Sequence, residues 1–223
     1  MFLKIYQALL DRYGKQGWWP VKGKYHPGKL SEQDKLEICI GAILAQNTSW
    51  KNVEKAIKEL HAHKLIDLKK LAEIDEKKLA LFIKSSGYYR QKAKKLKIFA
   101  RHVLKDGSLS DFFKRKKLRE ELLSLWGIGP ETADSIMLYA ANKPVFVIDA
   151  YTKRIMSRLG ACKNDVDYHE LQLLFHKKLP LNQELFNEYH ALLVELAKKH
   201  CVKNNPVCSS CPLKKSCKKK SFK

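Results

Sequence analysis

The chain has 223 residues, enough for one large domain or two small ones, and 45% of them are hydrophobic, enough for a real core. Its formal charge of +21, from 44 basic and 23 acidic residues, points to a polyanionic partner. No apolar run approaches the roughly 18–20 residues that span a bilayer, the lysines are spread along the whole chain, and the amphipathic start has no secretory pattern, which disfavours a membrane and predicts a cytoplasmic protein.

Residues 1–14 read as an amphipathic helix with Leu3, Ile5, Leu9, Leu10 and Tyr13 as inward candidates, ended by Gly14 and Gly17. Trp18-Trp19-Pro20 then open a basic loop that runs to Leu30. Two adjacent indoles cannot point the same way on a helix. On the residues alone they read as staples of a loop onto the core, with base stacking as the sharper alternative. Ser31 with Asp34 is an N-cap arrangement. The following run Ile38–Ala45 is apolar on every side, which predicts a central buried helix. It ends at Gln46-Asn47-Thr48-Ser49, and one of the last three caps a helix whose inward residues are Trp50, Val53, Ile57 and Leu60. Gln46 sits on the rim, where it either bonds backbone or reaches toward a nucleic acid. Residues 65–84 hold two short helical patterns, and Gly87–Ala93 lead into a long basic helix ending near Leu104. Asp106-Gly107 marks a turn, and residues 116–125 form another amphipathic helix.

That helix enters Leu125-Trp126-Gly127-Ile128-Gly129-Pro130-Glu131-Thr132-Ala133-Asp134. Gly127 and Gly129 permit a tight turn and close approach of backbone N–H groups to a ligand. Pro130 suits the first helical position, and N–H groups at a helix start form an anion site. Asp149 closes the apolar run Val145–Ile148, and a carboxylate kept there is a candidate for chemistry. A basic helical segment with Lys153 and Arg154 follows, then helices near 167–178 and 183–200. Strand-like alternation is almost absent, so the fold class is all-α with about ten helices. The expected domains are 31–145, and 1–30 together with 146–223. Lys218-Lys219-Lys220 is expected to form a mobile tail.

Cys39 and Cys162 stand alone and read as incidental thiols. Cys201, Cys208, Cys211 and Cys217 form C-x6-C-x2-C-x5-C. In a reducing compartment such a cluster points to metal rather than disulfides. Four thiolates at this spacing suit zinc or an iron–sulfur cluster, and the spacing alone leaves the metal open.

The order of hairpin, Thr-Ala, apolar run, Asp149 and basic helix resembles the helix-hairpin-helix and Gly/Pro-Asp signature of the endonuclease III superfamily of DNA glycosylases, from about residue 30 to Cys217. That resemblance implies a two-domain, all-α glycosylase fold and a structural [4Fe-4S] cluster on the four cysteines. It also implies Asp149 as the catalytic aspartate, and a monomeric, nucleoid-associated protein acting on damaged bases in double-stranded DNA. Gln46 matches a glutamine that enters the helix beside the extruded nucleotide. Gly127, Ile128 and Gly129 match the phosphate-holding hairpin, with the basic faces near Lys92, Lys153 and Arg154 expected to assist on phosphates. Bifunctional members carry a Schiff-base lysine where this chain has Glu131, and a carboxylate cannot form an imine. Glu131, with Trp18-Trp19-Pro20 and Trp50, resembles the type III 3-methyladenine DNA glycosylases, in which these positions line the base pocket; the cysteine cluster departs from that branch. The implied activity is a monofunctional glycosylase for alkylated purines. The alternatives are a uracil or mismatch glycosylase and a non-catalytic DNA-binding protein.

Overall fold

Ser31 accepts the backbone N–H of Asp34 while the Asp34 carboxylate accepts that of Ser31, a reciprocal capping box that starts a helix. All nine residues that follow from Leu36 to Leu44 are buried, as expected of a helix apolar on every side. Burial of each Leu or Ile here contributes on the order of 1.5–3 kcal/mol. The computed structural model describes residues 1–25 and 28–218. Among them it holds twelve α-helices and no strand, only an isolated antiparallel bridge between Val21 and Lys24.

The helices are α1 (Phe2–Tyr13), α2 (Glu32–Leu44), α3 (Trp50–Ala62), α4 (Leu68–Glu73), α5 (Glu76–Phe82), α6 (Tyr89–Val103), α7 (Leu109–Phe113), α8 (Leu118–Ser124), α9 (Pro130–Ser135), α10 (Ala150–Arg158), α11 (Tyr168–Lys178) and α12 (Gln183–Lys199). A π-helical turn, Ile136–Ala140, extends α9. None of the described helices is long and apolar enough to cross a membrane.

The chain divides into two units. One is Met1–Trp18 with the described part of Lys143–Lys223, and the other is Trp19–Asn142. In the terminal unit, α1 and α10 pack against α12. Phe146, Phe175, Phe186 and Tyr189 stack among themselves in its core. In the middle unit, α2 is flanked by α3, α6, α9 and the π turn.

The structure differs from the reading of the sequence in its early part and at one short helix. The compact units part after Trp18, whereas the expected domain begins at residue 31. The Trp19 indole lies against Gly41 of α2, and the Lys22 N–H donates to buried Glu37 at 2.7 Å, so the loop belongs to the middle unit. In α1 the buried positions are Phe2, Ile5 and Leu9, one face at helical spacing, and Leu3 turns outward. The five-residue α7 was not legible as a periodic pattern, although its cap was in plain view: Ser108 accepts the N–H of Asp111. Of the basic tail, Lys219 and Lys220 lie outside the described residues, and so do His26 and Pro27 of the first loop.

Candidate active site and nucleic-acid interface

The hairpin is built as its glycines require. Gly127 has φ +81°, the left-handed region that disfavours any side chain, and the Ile128 N–H closes the turn on the Leu125 carbonyl at 3.0 Å. Gly129 caps α9 in an extended conformation, and Pro130 takes the first helical position. Ile128 is buried, so its side chain anchors the hairpin. The Gly127 and Gly129 amides have no acceptor among the described residues. Glu131, the second residue of α9, is exposed.

Gln46 ties the end of α2 to this corner. Its Nε2 donates to the Gly127 carbonyl at 3.0 Å and to Thr132 Oγ1 at 2.9 Å, and its Oε1 accepts from Lys95 Nζ at 2.5 Å. Of its two expected roles, bonding to backbone is the one the structure displays. From the other side, Arg119 of α8 donates twice to the fully buried Asp134 of α9, at 2.7 and 3.0 Å.

Among the expected pocket residues, Trp19 and Trp50 come together, with ring centroids 5.1 Å apart and nearly perpendicular planes. Trp19 is only 7% exposed and also meets Tyr139 edge-on at 5.2 Å. A Cβ at position 41 would stand 3.2 Å from the indole, so Gly41 is what allows this approach. Pro20 is buried beside it. Trp50 is half-buried, and its Nε1 donates to Glu54 at 3.0 Å. Trp18 belongs to the terminal unit, where the Lys198 ammonium stands 5.5 Å from its ring. The two adjacent indoles therefore serve separate units.

Asp149 starts α10. Its Oδ1 accepts the Thr152 N–H at 2.7 Å, and its Oδ2 lies 3.7 Å from Nε2 of His190 on α12. The run before it is extended without belonging to a sheet, and side chains of α11 satisfy its backbone. His176 Nε2 accepts the Phe146 N–H at 3.0 Å, Gln172 donates to the Phe146 carbonyl at 2.7 Å, and the Tyr168 hydroxyl accepts the Ile148 N–H at 3.4 Å. Burial pushes the His190 pKa down, against a smaller opposite effect of Asp149, and so favours the neutral imidazole.

Of the three basic residues expected to assist on phosphates, Lys92 is buried and Lys153 and Arg154 are half-buried. The Lys92 ammonium donates to the carbonyls of Leu44 and Ser86 at 2.8 and 2.7 Å. Desolvation, with a contribution from nearby Lys95, lowers its pKa to about 8. It locks α6 to the end of α2 and does not face a phosphate. Lys153 is engaged with the Val166 carbonyl at 2.9 Å, and Arg154 with the Cys201 carbonyl at 2.9 Å. The residues missed in the sequence are Lys94, Lys95 and Trp126 at the hairpin, and His190 at Asp149. Lys95 lies three residues after Lys92 on the same helix, and nothing in the sequence distinguishes the buried lysine from the partly exposed one.

Cys201, Cys208, Cys211 and Cys217 line one cavity of about 40 Å³, with Arg158, His200, Pro206 and Lys214. Arg158 donates to Cys201 Sγ at 3.3 Å and to the carbonyls of Val202 and Lys203 at 2.8 and 3.0 Å. Burial, and then the other three cysteines, push the Cys211 thiol up. Among the described residues no three His, Cys, Asp or Glu are grouped so that they could hold a metal ion.

Residues 40–181 match the HhH-GPD superfamily of base excision DNA repair proteins. The chain belongs to that family, and it is a DNA glycosylase of base excision repair whose macromolecular partner is DNA. A Methanocaldococcus jannaschii protein assigned to the DNA repair glycosylases is 45% identical over 222 residues, 97% of this chain and 96% of the relative. Endonuclease III of Thermotoga maritima is 32% identical over 196 residues, 87% of each chain. The crystal structure of the Helicobacter pylori 3-methyladenine DNA glycosylase bound to 1,N6-ethenoadenine is similar with a TM-score of 0.72 and 32% identity, covering 88% of this chain and 97% of that one.

Proposed function

We propose that the protein is a monomeric, monofunctional glycosylase. In this reading it hydrolyses the N-glycosidic bond of alkylated purines such as 3-methyladenine in double-stranded DNA, and it carries a structural [4Fe-4S] cluster. The observation that carries the proposal is Glu131. The hairpin around it is intact, yet an exposed carboxylate stands where an amine nucleophile would be needed for imine formation. The likeness to the 3-methyladenine glycosylase of Helicobacter pylori supports the substrate class.

The chemistry asks little of the protein. A ring-methylated adenine is cationic and its glycosidic bond is already weak. An indole attracts such a ring by stacking and cation–π interaction, worth about 0.5–2 kcal/mol, and half-buried Trp50 is the indole assigned to it. Extrusion costs a few kcal/mol, less for a damaged base. Asp149 then stabilises the positive charge that develops on the sugar or orients the attacking water. One of its oxygens is fixed by the Thr152 amide, and its neighbour His190 is held neutral by burial, so the negative charge is not cancelled. The amides of Gly127 and Gly129 supply the phosphate contacts.

Cys201, Cys208, Cys211 and Cys217 line one cavity and would supply the four thiolates of the cluster. The Arg158 guanidinium, 3.3 Å from Cys201 Sγ, would offset part of the charge of the bound cluster.

The test is base release from methylated, uracil-containing and oxidised duplexes. Free 3-methyladenine is expected, Asp149→Asn should lose at least about a hundredfold, and borohydride should trap no covalent complex on abasic DNA. Release of uracil or thymine alone would overturn the substrate class. An active Asp149→Asn variant would overturn the mechanism.

A further inference from the structure

Trp126 is 50% exposed, immediately before Gly127 on the hairpin corner. A large indole left half in water at a ligand-facing corner is itself informative. The Lys94 ammonium stands 4.7 Å from its ring centroid and that of Lys95 stands 6.0 Å away. Lys95 is also fastened from behind. Its stem runs under Gly127, so closely that a Cβ there would be 2.3 Å from its Cε, and its Nζ bonds Gln46 at 2.5 Å. Desolvation lowers the pKa of Lys95. The result is a flat aromatic plate with two ammonium groups over its ring, mounted on the turn that presents the Gly127 and Gly129 amides.

We infer that Trp126, with Lys94 at its face, is a DNA-contact plate. The indole packs on the nucleoside next to the phosphate held by the hairpin, and Lys94 moves from the ring to that phosphate. The chemistry argues for this occupant. A nucleotide offers a flat or apolar face beside an anion, which is the complement of an indole beside an ammonium. An acidic protein surface would match the charges without the flat face. The contact is distinct from the hairpin amides, which grip phosphate through N–H groups and gain nothing from an indole. It rests on the DNA partner alone and not on the lesion or on Asp149.

The experiment measures affinity of the full-length protein for a duplex containing a non-hydrolysable abasic-site analogue, across a series of salt concentrations. No base release is involved, so failure of the proposed substrate or of Asp149 leaves the readout intact. Trp126→Ala should weaken binding by roughly five- to a hundredfold, the range for loss of one base–aromatic stack. The slope of log K against log salt should not change, because an indole releases no counterion. Trp126→Phe should recover most of the loss. Lys94→Gln should instead lower the slope by about 0.9, one phosphate contact. The inference is overturned if Trp126→Ala binds as the wild type does, if its loss comes with a lower slope, or if Trp126→Phe recovers nothing while melting at the wild-type temperature.

Discussion

If Asp149 works by its charge, as proposed, its neighbours must not neutralise it: the Thr152 N–H fixes one of its oxygens, and the side chain beside the other, at 3.7 Å, is His190. His190 is 5% exposed, and burial lowers its pKa more than the adjacent carboxylate raises it. A lysine or arginine at 3.7 Å would cancel the charge; a neutral imidazole does not. This has a consequence for stability. The unfolded chain protonates this histidine near pH 6.5, whereas the folded chain does so only at lower pH. The unfolded state therefore binds more protons in that window, and stability falls as pH drops below about 6.5, by up to about 1.4 kcal/mol per pH unit for one group. His200, whose pKa is also lowered, acts in the same direction, so the comparison must be made between variants. Melting temperatures of wild type and His190→Gln from pH 7.5 to 5 should diverge, with the variant showing the shallower acid slope. Parallel slopes would mean that His190 titrates alike in the folded and the unfolded chain.

Between α8 and α9 the hairpin depends on one buried ion pair. Arg119→Ala takes away the bidentate partner of a fully buried carboxylate, and such a loss costs about 3–5 kcal/mol. DNA affinity should fall with it, because the pair fixes the helix that presents the Gly129 amide. Paired replacement by apolar residues, Arg119→Met with Asp134→Leu, should recover much of the stability. Denaturant unfolding of the three proteins checks this, and a single variant within about 1 kcal/mol of wild type would contradict it. Much of this part of the fold was legible locally. The capping box at Ser31, the all-round apolar α2, the glycines of the turn and the helix starts at Pro130 and Asp149 each carry their signal within a few residues. What was not legible depends on distant partners. Lys92 reads as a basic surface residue until the carbonyls of Leu44 and Ser86 are brought to it. Trp18 and Trp19 read as one motif, but the chain passes from one unit to the other between them. His190 lies 41 positions from Asp149, and an isolated histidine in a helix has no local signature.

At the scale of the whole chain, the two units do not rely on the same forces. The middle unit has a continuous aliphatic and aromatic core around α2, with Ile38, Ile40, Ile43, Leu44, Leu96 and Phe99 fully buried. The terminal unit ends in a segment, 201–218, without regular helix. Arg154 and Arg158 tie that segment down by bonds to its carbonyls, and its four cysteines surround one cavity. If thiolate–iron bonds close it, their loss removes folding free energy from the terminal unit alone. The tryptophans make this measurable: Trp19, Trp50 and Trp126 lie in the middle unit and Trp18 in the terminal one. Replacing Cys208 and Cys211 by serine should abolish the brown absorbance of the cluster. It should also split the melt, with helical circular dichroism lost in an early step while most of the indole fluorescence change waits for a later one. A variant that keeps one melting transition at the wild-type temperature would show that the cysteines hold nothing the terminal unit needs.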